Sequence, residues 1–588
     1  MSNKHSTAGE SPFVADRPVN LIGETFADTP IAAAAYDAGD PIVGRRHVDA
    51  FACLEPLEAR QLMSVSLDGA GFTVVTPAAD SRVVYVSNSQ GNDRNAGLSA
   101  GAPVKTLAKA MSLIRANSAD QLLLKRGDEW ADGFGFWKKS GRSADQPILI
   151  SAYGVGDRPL IKPGSDVGIT IGSVSAKSVS NVAIVGLHFY ADGRDPRAGG
   201  YVASQDHQGH GIQVISGGSG MLIEDVVVEK FRTNISFVPV YGEMHDVTVR
   251  RSVVTDAWSA KYHAEGLFVD GVRGLTVEEN VFDHNGWLED VPGAGQTVFN
   301  HNIYITGRTS DVVVSGNLLA NASSHGLQAR SGGVITGNLF LNNAIGMSYG
   351  LVNGEGVQKE GGVSGVVSGN VFLGGRDIAG SGRGLGIEIA NTRDGGNTVV
   401  KENIFSKYAG GVLPAISLTS GVGVNQADAV GLHDVTLRDN VVYQWKQGVV
   451  VQGGMSPTAA NPWKVMEGVT LAGNQFVDLA GKVLTNVGNV TMGPSAAATT
   501  RTLGARTMTD PDRTVQTYDR MIGGPGSMWH YLDGAVGREA GTMDARYTAT
   551  SMVNYVREGF GFEALDGTTP TPVPPPPAVP PVVPPVPP

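Results

Sequence analysis

Seven asparagines recur through the middle of this chain, at positions 280, 317, 338, 370, 403, 440 and 474. Each closes a short β-prone run, and most are followed by an apolar pair. Examples are Thr276-Val-Glu-Glu-Asn-Val-Phe282, Val313-Val-Ser-Gly-Asn-Leu-Leu319, Val366-Val-Ser-Gly-Asn-Val-Phe372 and Val399-Val-Lys-Glu-Asn-Ile-Phe405. Successive spacings are 37, 21, 32, 33, 37 and 34 residues. A unit whose length varies this much while its local pattern holds is a coil with a fixed minimal turn and connections of variable length. A propeller blade needs four strands, more than a 21-residue unit can hold. Short strands, tight Gly/Asn corners and almost no helical periodicity predict an all-β parallel solenoid. Copies at Ile223-Glu-Asp-Val-Val227 and Val249-Arg-Arg-Ser-Val253 place Asp or Ser in the Asn slot. The Asn amides are expected to bond those of the rungs above and below, with the Asn backbone taking a left-handed corner.

Composition narrows the function classes. The 588 residues include 79 Gly, about twice the usual share, and only 17% charged residues. The Gly follows no three-residue period, which excludes collagen, and the charge content excludes a coiled coil. A formal charge of −11 without a basic cluster argues against a nucleic-acid partner. Cys53 is the only cysteine, so intrachain disulfides and multi-cysteine metal sites are excluded. No apolar run reaches the length of a membrane span, and the first 30 residues lack the basic-then-apolar order of an ordinary signal peptide.

The expected organisation is a largely disordered leader and linker over 1–80, then N-terminal strands and a capping helix over 81–179. Solenoid rungs follow over 180–495, a helical cap over 496–567 and a Pro-rich tail over 568–588. The capping helix rests on Leu107, Ala110, Met111 and Ile114 at helical spacing. Val515, Tyr518 and Met521, then Ala549, Met552, Val553 and Val556, repeat that spacing near the C-terminus and are expected to cover the last rung's open edge. The tail carries 12 prolines in its last 19 residues and reads as polyproline II.

Two resemblances add to this. The stretch Leu57-Glu-Ala-Arg-Gln-Leu-Met-Ser64 resembles the Leu-Glu-Pro-Arg export leader of some large bacterial proteins, with Ala59 in the Pro position. Tyr85-Val-Ser, Gly91-Asn-Asp, Pro103-Val-Lys-Thr-Leu107, Lys125-Arg-Gly-Asp128 and Ala152-Tyr-Gly-Val-Gly156, with the Asn-Val-Phe rungs, resemble right-handed parallel β-helix proteins of the pectate-lyase-like superfamily over roughly 82–492. That resemblance implies a right-handed parallel β-helix and a polysaccharide partner. It names no reaction, since the superfamily holds lyases, epimerases, hydrolases and non-catalytic proteins. It also implies a secreted or cell-surface protein, here expected to be a monomer.

Rung stacking converts a recurring frame into columns about 4.8 Å apart. The frame polar–Gly/Asn–apolar–X reads His210-Gly-Ile-Gln213, Thr233-Asn-Ile-Ser236, Glu265-Gly-Leu-Phe268, His301-Asn-Ile-Tyr304 and His325-Gly-Leu-Gln328; Ile345-Gly-Met-Ser348 loses the polar first position. It predicts one outward column of Thr233, Glu265, His301 and His325, and beside it Phe268, Tyr304 and Gln328, with Arg330 and Asp270 further along their strands. Expected catalytic residues are His301, His325, Arg330, Tyr304 and Glu265. Expected substrate-binding residues are Asn302, Gln328, Trp287, His263, Asp270 and Lys261, with Trp287 as a sugar-stacking surface. Five of the 12 histidines (210, 263, 284, 301, 325) fall in these few rungs.

Three chemistries fit, and the first, elimination or C5-epimerisation, is the expected one, because the column is richer in His than in acids. A lyase or C5-epimerase acting on a uronic-acid polymer needs a carboxylate neutraliser, for which Arg330 and Asn302 serve. It also needs a base, His301 or His325, and a proton donor, Tyr304. A glycoside hydrolase needs two carboxylates, for which Glu265 and Asp270 are the candidates. A non-catalytic surface adhesin is the third. No cofactor is expected. A zinc set of His301, His325 and Glu265 lacks any local ligand spacing, and Asp283, Glu289 and Asp290 offer only a weak calcium set.

Overall fold

The computed structural model describes residues 66–164, 166–203, 209–289, 291–350, 363–378, 383–392, 397–407, 413–420, 431–453 and 466–565. The leader-like motif at 57–64, Asp290 and the Pro-rich tail lie outside the described residues.

Three long parallel sheets wind around one core. Sheet 1 has 14 strands, from Val83–Val86 to Thr491–Met492; sheet 2 has 13, from Glu129–Trp130 to Ala497–Ala498; sheet 3 has 12, from Gly135–Trp137 to Leu484–Thr485. One turn passes through each sheet once, as in Ser310–Ser315, Leu318–Ala320 and His325–Ala329. The stacking thus begins at Val83 and runs through the 81–179 segment into the Asn-marked rungs.

The Asn ladder forms the corner between sheets 1 and 2. The backbone N–H and the side-chain Nδ2 of Asn280 both donate to Oδ1 of Asn317, each at 3.0 Å, and Nδ2 also donates to the Val249 carbonyl at 2.9 Å. The same contacts repeat through Asn338, Asn370, Asn403, Asn440 and Asn474. The left-handed turn itself falls one residue earlier than expected, at Glu279, Gly316, Gly337, Gly369, Glu402, Asp439 and Gly473, with φ between 55° and 66°. The Asn backbone must stay extended to start the next strand, so its neighbour takes the turn. In the earlier copies Ser252 holds the slot, accepting from Val226 N–H and donating its own N–H to Asn280 Oδ1. Asp225 occupies the turn position (φ 56°), not the Asn slot.

This corner admits no insertion, so the variable spacing falls on the other two. Both border sheet 3: the connection from sheet 2 is 284–300 in one rung and 321–324 in the next.

The apolar pair after each Asn but the last points two ways, because successive strand residues face opposite sides. The second member faces in: the rings of Phe340, Phe372 and Phe405 stack at 4.4 and 4.6 Å. The first faces out, giving Val253, Val281, Leu318, Leu339, Val371, Ile404 and Val441. Three C-terminal helices cover that stripe: α2 (Val515–Met521), α3 (Met528–Val536) and α4 (Ala549–Gly559), through Tyr518, Leu532, Met552, Val553 and Val556. They run along the flank of sheet 2, whereas the expectation placed them over the open end; an apolar column seven rungs long needs a side cover. At the other end α1 (Leu107–Leu113), capped by Thr106, buries Leu107 and Ala110 against the core with Val84 and Val86.

The order also begins earlier than residue 81. A hairpin of Ser66–Leu67 and Thr73–Val74 lies against sheet 1. Phe72 is 4% exposed under the Arg251 guanidinium, and the Thr73 N–H donates to the buried Glu224 carboxylate at 2.9 Å. Among the described residues no helix is long and apolar enough to cross a membrane.

Removing one ladder member orphans buried donors and acceptors on two rungs. Asn338→Ala should lower unfolding stability by about 3 kcal/mol, while the exposed Val155→Ala leaves it within about 0.5 kcal/mol. Denaturant midpoints of the two variants check this.

Candidate functional site

Strand register in sheet 3 gathers the chemistry. Pairing sets His210 beside Thr233, Thr233 beside Glu265, Glu265 beside His301, and His301 beside His325. The fourth positions Ser236, Phe268, Tyr304, Gln328, Ser348 and Glu388 form the adjoining column. This is the register the recurring frame predicts. Its second position explains the bend: a Cβ on Gly266 would lie 2.6 Å from the Asn302 carbonyl oxygen, and on Gly326 2.7 Å from that of Gly346. The backbone there presses on the next rung, and the preceding side chain turns away from the core.

The outward side chains are not solvated. Glu265, His301, His325, Gln328 and Arg330 are 4–6% exposed. The connections 256–264 and 286–300 rise beside the column from the sheet 2 side. Trp258, Leu288 and Ala294 give these connections a small core of their own. Ser323 Oγ ties 286–300 down by accepting from Thr297 N–H and donating to Thr297 O.

Within this recess the rings of His301 and His325 lie 4.8 Å apart, and those of His301 and Tyr304 5.0 Å apart. The Arg330 guanidinium sits 5.2 Å from the Tyr304 ring centre, and Phe268 meets that ring edge-on at 5.3 Å. His325 Nδ1 is 2.8 Å from Ser324 Oγ. His301 Nδ1 is buried and has no hydrogen-bond partner among the described residues. His263 donates from Nδ1 to the Phe299 carbonyl at 3.0 Å.

Burial and clustered positive charge set the protonation states. His301 is held well below its ordinary range by burial, then by His325, His263 and Arg330. His325 falls to about 3 through burial, Arg330 and Arg383. Both imidazoles are therefore neutral at pH 7. Glu265 moves the other way: burial raises it to about 7, against the pull of His263, Arg232 and a hydrogen bond from Thr233.

Several expected partners sit elsewhere. Asn302 is fully buried in a second corner ladder, accepting from Asn285 Nδ2 at 2.9 Å and donating to Ala320 O at 2.8 Å, so it does not reach a substrate carboxylate beside Arg330. Trp287 is partly buried, with its Nε1 bonded to Asn321 O, its ring 4.3 Å from that of His284 and the Arg376 guanidinium 5.4 Å away. It is a packing residue of the wall and not an open sugar-stacking face. Asp270 accepts from Thr306 Oγ1 at 2.7 Å and is paired with Arg308. Its backbone lies five residues along the strand from Glu265, roughly 16 Å at about 3.3 Å per residue, and Thr306 and Arg308 hold its carboxylate at that end. Lys261 is exposed on the wall. Asp283 accepts from Asn321 Nδ2 and Glu289 faces His284 Nε2, so the two do not converge as a calcium set. Among the described residues no three His, Cys, Asp or Glu side chains are arranged to hold a metal, the zinc set of His301, His325 and Glu265 included.

The structure adds Arg232, whose guanidinium donates to His210 Nε2 at 3.1 Å and bears on Glu265, and Ser324. Each directly precedes a frame first position, the one place in sequence where they were detectable. Arg383 acts on both His325 and Glu388, which joins that pair to the same recess.

Comparison with known protein families agrees on the fold. A family model described as a right-handed β-helix region matches residues 174–372, about a third of the chain. The chain carries a right-handed parallel β-helix. It is 37% identical over 94 residues to a lacto-N-biosidase of Bifidobacterium longum subsp. longum; the match covers 16% of this chain and only 6% of that protein's length. Among solved structures, a GH136 lacto-N-biosidase from Eubacterium ramulus aligns at TM-score 0.35 and 13% identity over 70% of this chain and 68% of that one. The pectate lyase Pel9A aligns at TM-score 0.32 and 16% identity over 72% of this chain and 80% of that one.

The buried neutral histidines predict an acid limb in stability. His325 and His210 have folded values of about 3 against an ordinary 6.5, so the unfolded chain binds more protons between those limits. Stability should fall as pH drops from 6.5 towards 3. Glu265, raised from 4.5 to about 7, offsets part of this loss between those two values. Thermal midpoints from pH 7 to pH 4 should decline less steeply for His325→Gln than for the unmodified protein.

Proposed function

We propose that this β-helix binds an acidic, uronic-acid-containing polysaccharide over sheet 3 and abstracts the C5 proton of a bound uronate. One observation supports the reading best: two neutral imidazoles, a tyrosine and a guanidinium share a recess in which the nearest carboxylic acid, Glu265, is half protonated near neutrality.

Arg330 is the neutraliser. Its planar donor fork matches the C6 carboxylate and lowers the cost of building negative charge at C5. His301 is the base; it is unprotonated, and its Nδ1 has no partner among the described residues. A substrate carboxylate beside Arg330 offsets the positive field that depresses His301, so basicity rises once the polymer is bound. Tyr304 lies against both groups and protonates the leaving oxygen. In the lyase reaction the C5–H bond breaks, a C4–C5 double bond forms and the C4–O bond opens. In epimerisation the proton returns to the opposite face of C5. Gln328 and His325 line the same recess, and His263 and Lys261 stand at its wall. A polymeric substrate implies work outside the cell or at its surface.

The partial identity to a lacto-N-biosidase favours a second reading, glycoside hydrolysis. Glu265 has the raised pKa of a general acid. Its partner must lie about 5–9.5 Å away. Asp270 is held at the other end of its strand by Thr306 and Arg308, and Glu388, four rungs on, is roughly 19 Å away at about 4.8 Å per rung. This favours elimination over hydrolysis.

Incubation with polygalacturonate, alginate and glycosaminoglycans discriminates. A rise in the ultraviolet absorbance of unsaturated uronate is the expected result. New reducing ends without it mean hydrolysis, and binding without turnover means an adhesin. On the polymer that is turned over, His301→Ala should cut kcat by about 10²–10⁴-fold, and Arg330→Ala should do comparable damage. Full activity in both variants overturns the assignment. Above pH 7 ionised Glu265 repels an acidic chain, so KM should rise through an apparent pKa of about 7. Glu265→Gln, neutral at every pH, should flatten that rise.

A further inference from the structure

With Trp287 packed into the wall, the recess needs another surface for the apolar face of a sugar. Among the described residues nine large apolar side chains are more than half exposed, and Tyr262, at 52%, and Phe299, at 53%, are two of them. Both stand on the wall beside the recess. Tyr262 lies three residues before Glu265, Phe299 two residues before His301, and Glu265 and His301 are register partners on adjacent rungs. The two aromatics therefore lie on successive connections that enter sheet 3 at the same edge.

The backbone beneath them is fixed. His263 donates from Nδ1 to the Phe299 carbonyl at 3.0 Å, and its ring meets the Phe299 ring edge-on at 5.8 Å. The Ala264 N–H donates to Asn300 Oδ1 at 3.1 Å, and Asn300 Nδ2 to the Gly286 carbonyl at 2.7 Å. Ser259 Oγ accepts from the Tyr262 N–H at 3.1 Å. Exposed aromatics on an anchored backbone lose little entropy when a ligand covers them, which marks a binding surface.

Their position relative to the catalytic groups selects the ligand. Across sheet 3 the order runs from Tyr262 and Phe299 to Glu265 and His301, then Tyr304, then Arg330. Phe299 lies two residues before the strand His301–Ile305, and Arg330 directly follows the strand His325–Ala329 that pairs with it. A reacting ring held between Arg330 and His301 leaves the aromatic edge to the next unit of the same chain. Lys261, also exposed on this wall, puts a positive charge beside it.

We propose that Tyr262 and Phe299 form a stacking platform for the sugar next to the reacting uronate, which makes the protein select a polymer over a single acidic sugar. This rests on the reaction reading above, and the experiment separates the two. Electrophoretic retardation is measured in gels containing polygalacturonate, alginate, hyaluronan or the neutral polymer xylan, with turnover measured in parallel. Phe299→Ala and Tyr262→Ala should each weaken retardation and raise KM about tenfold, with kcat within about twofold. Phe299→Tyr and Tyr262→Phe should restore both, and thermal midpoints should not move. Trp529→Ala, exposed at 58% on distant α3, is the control and should change nothing. Unchanged retardation and KM in both alanine variants overturns the platform and leaves the reaction standing. Retardation of the unmodified protein by xylan alone, lost in Phe299→Ala, upholds the platform and overturns the acidic substrate. A lowered thermal midpoint that the conservative variants do not restore shows the aromatics to be packing residues and also overturns it.

Discussion

The corner between sheets 1 and 2 governs this molecule. Asn280, Asn317, Asn338, Asn370, Asn403, Asn440 and Asn474 are buried to within 1%, and each amide satisfies donors from one rung while donating to another. A buried amide is stable only when its hydrogen bonds are complete. The Asn-marked rungs therefore present the same side chain at the same height, preceded by one residue in the left-handed turn, and Ser252 takes that place in an earlier rung. No residue can be inserted there. Variation is forced onto the two corners that border sheet 3, and the recess is built between them.

The recess inherits its regularity from that ladder. Pinned at that corner, by the pairing of its own strands and by the second ladder through Asn285 and Asn302, sheet 3 holds its side chains in register. His301 stacks on His325 although two imidazoles have little intrinsic reason to pair. Their burial beside Arg330 and Arg383 makes the charged forms costly, so both stay neutral. The same burial acts oppositely on Glu265, since a carboxyl is neutral when protonated. One environment thus yields bases without protons and an acid with one, a combination suited to moving a proton near neutral pH.

Sheet 2 shows how the fold handles its other face. Val281, Leu318, Leu339, Val371, Ile404 and Val441 form an apolar column too large to leave in water, and α2 to α4 cover it from the side. The hairpin at 66–74 does the same on a smaller scale for sheet 1, with Val75 packed on Leu149, Ala183 and Leu222. Sheet 3 carries polar columns instead, which leaves that face to a ligand.

Much of this was legible in sequence, because a solenoid turns local periodicity into three-dimensional neighbours. The Asn spacing gave the rungs, and the polar–Gly/Asn–apolar frame gave the columns of Glu265, His301 and His325 and of Phe268, Tyr304 and Gln328. The apolar pairs after most of the Asn residues were legible as part of each rung, and only the structure shows that helices cover their first members. What sequence did not determine were contacts between segments without a shared repeat. Trp287 reads as an exposed aromatic in a loop, but it is packed because Asn321 and Arg376 arrive from other rungs and His284 of its own connection folds against it. Asn302 reads as a frame residue, yet the corner turns it inward to Asn285 and Ala320. The protonation states of the histidine column depend on groups carried by the connections between strands, His263, Arg330 and Arg383. Those connections follow no period. Only packing decides where they lie, and so only the tertiary structure decides what the aligned residues can do.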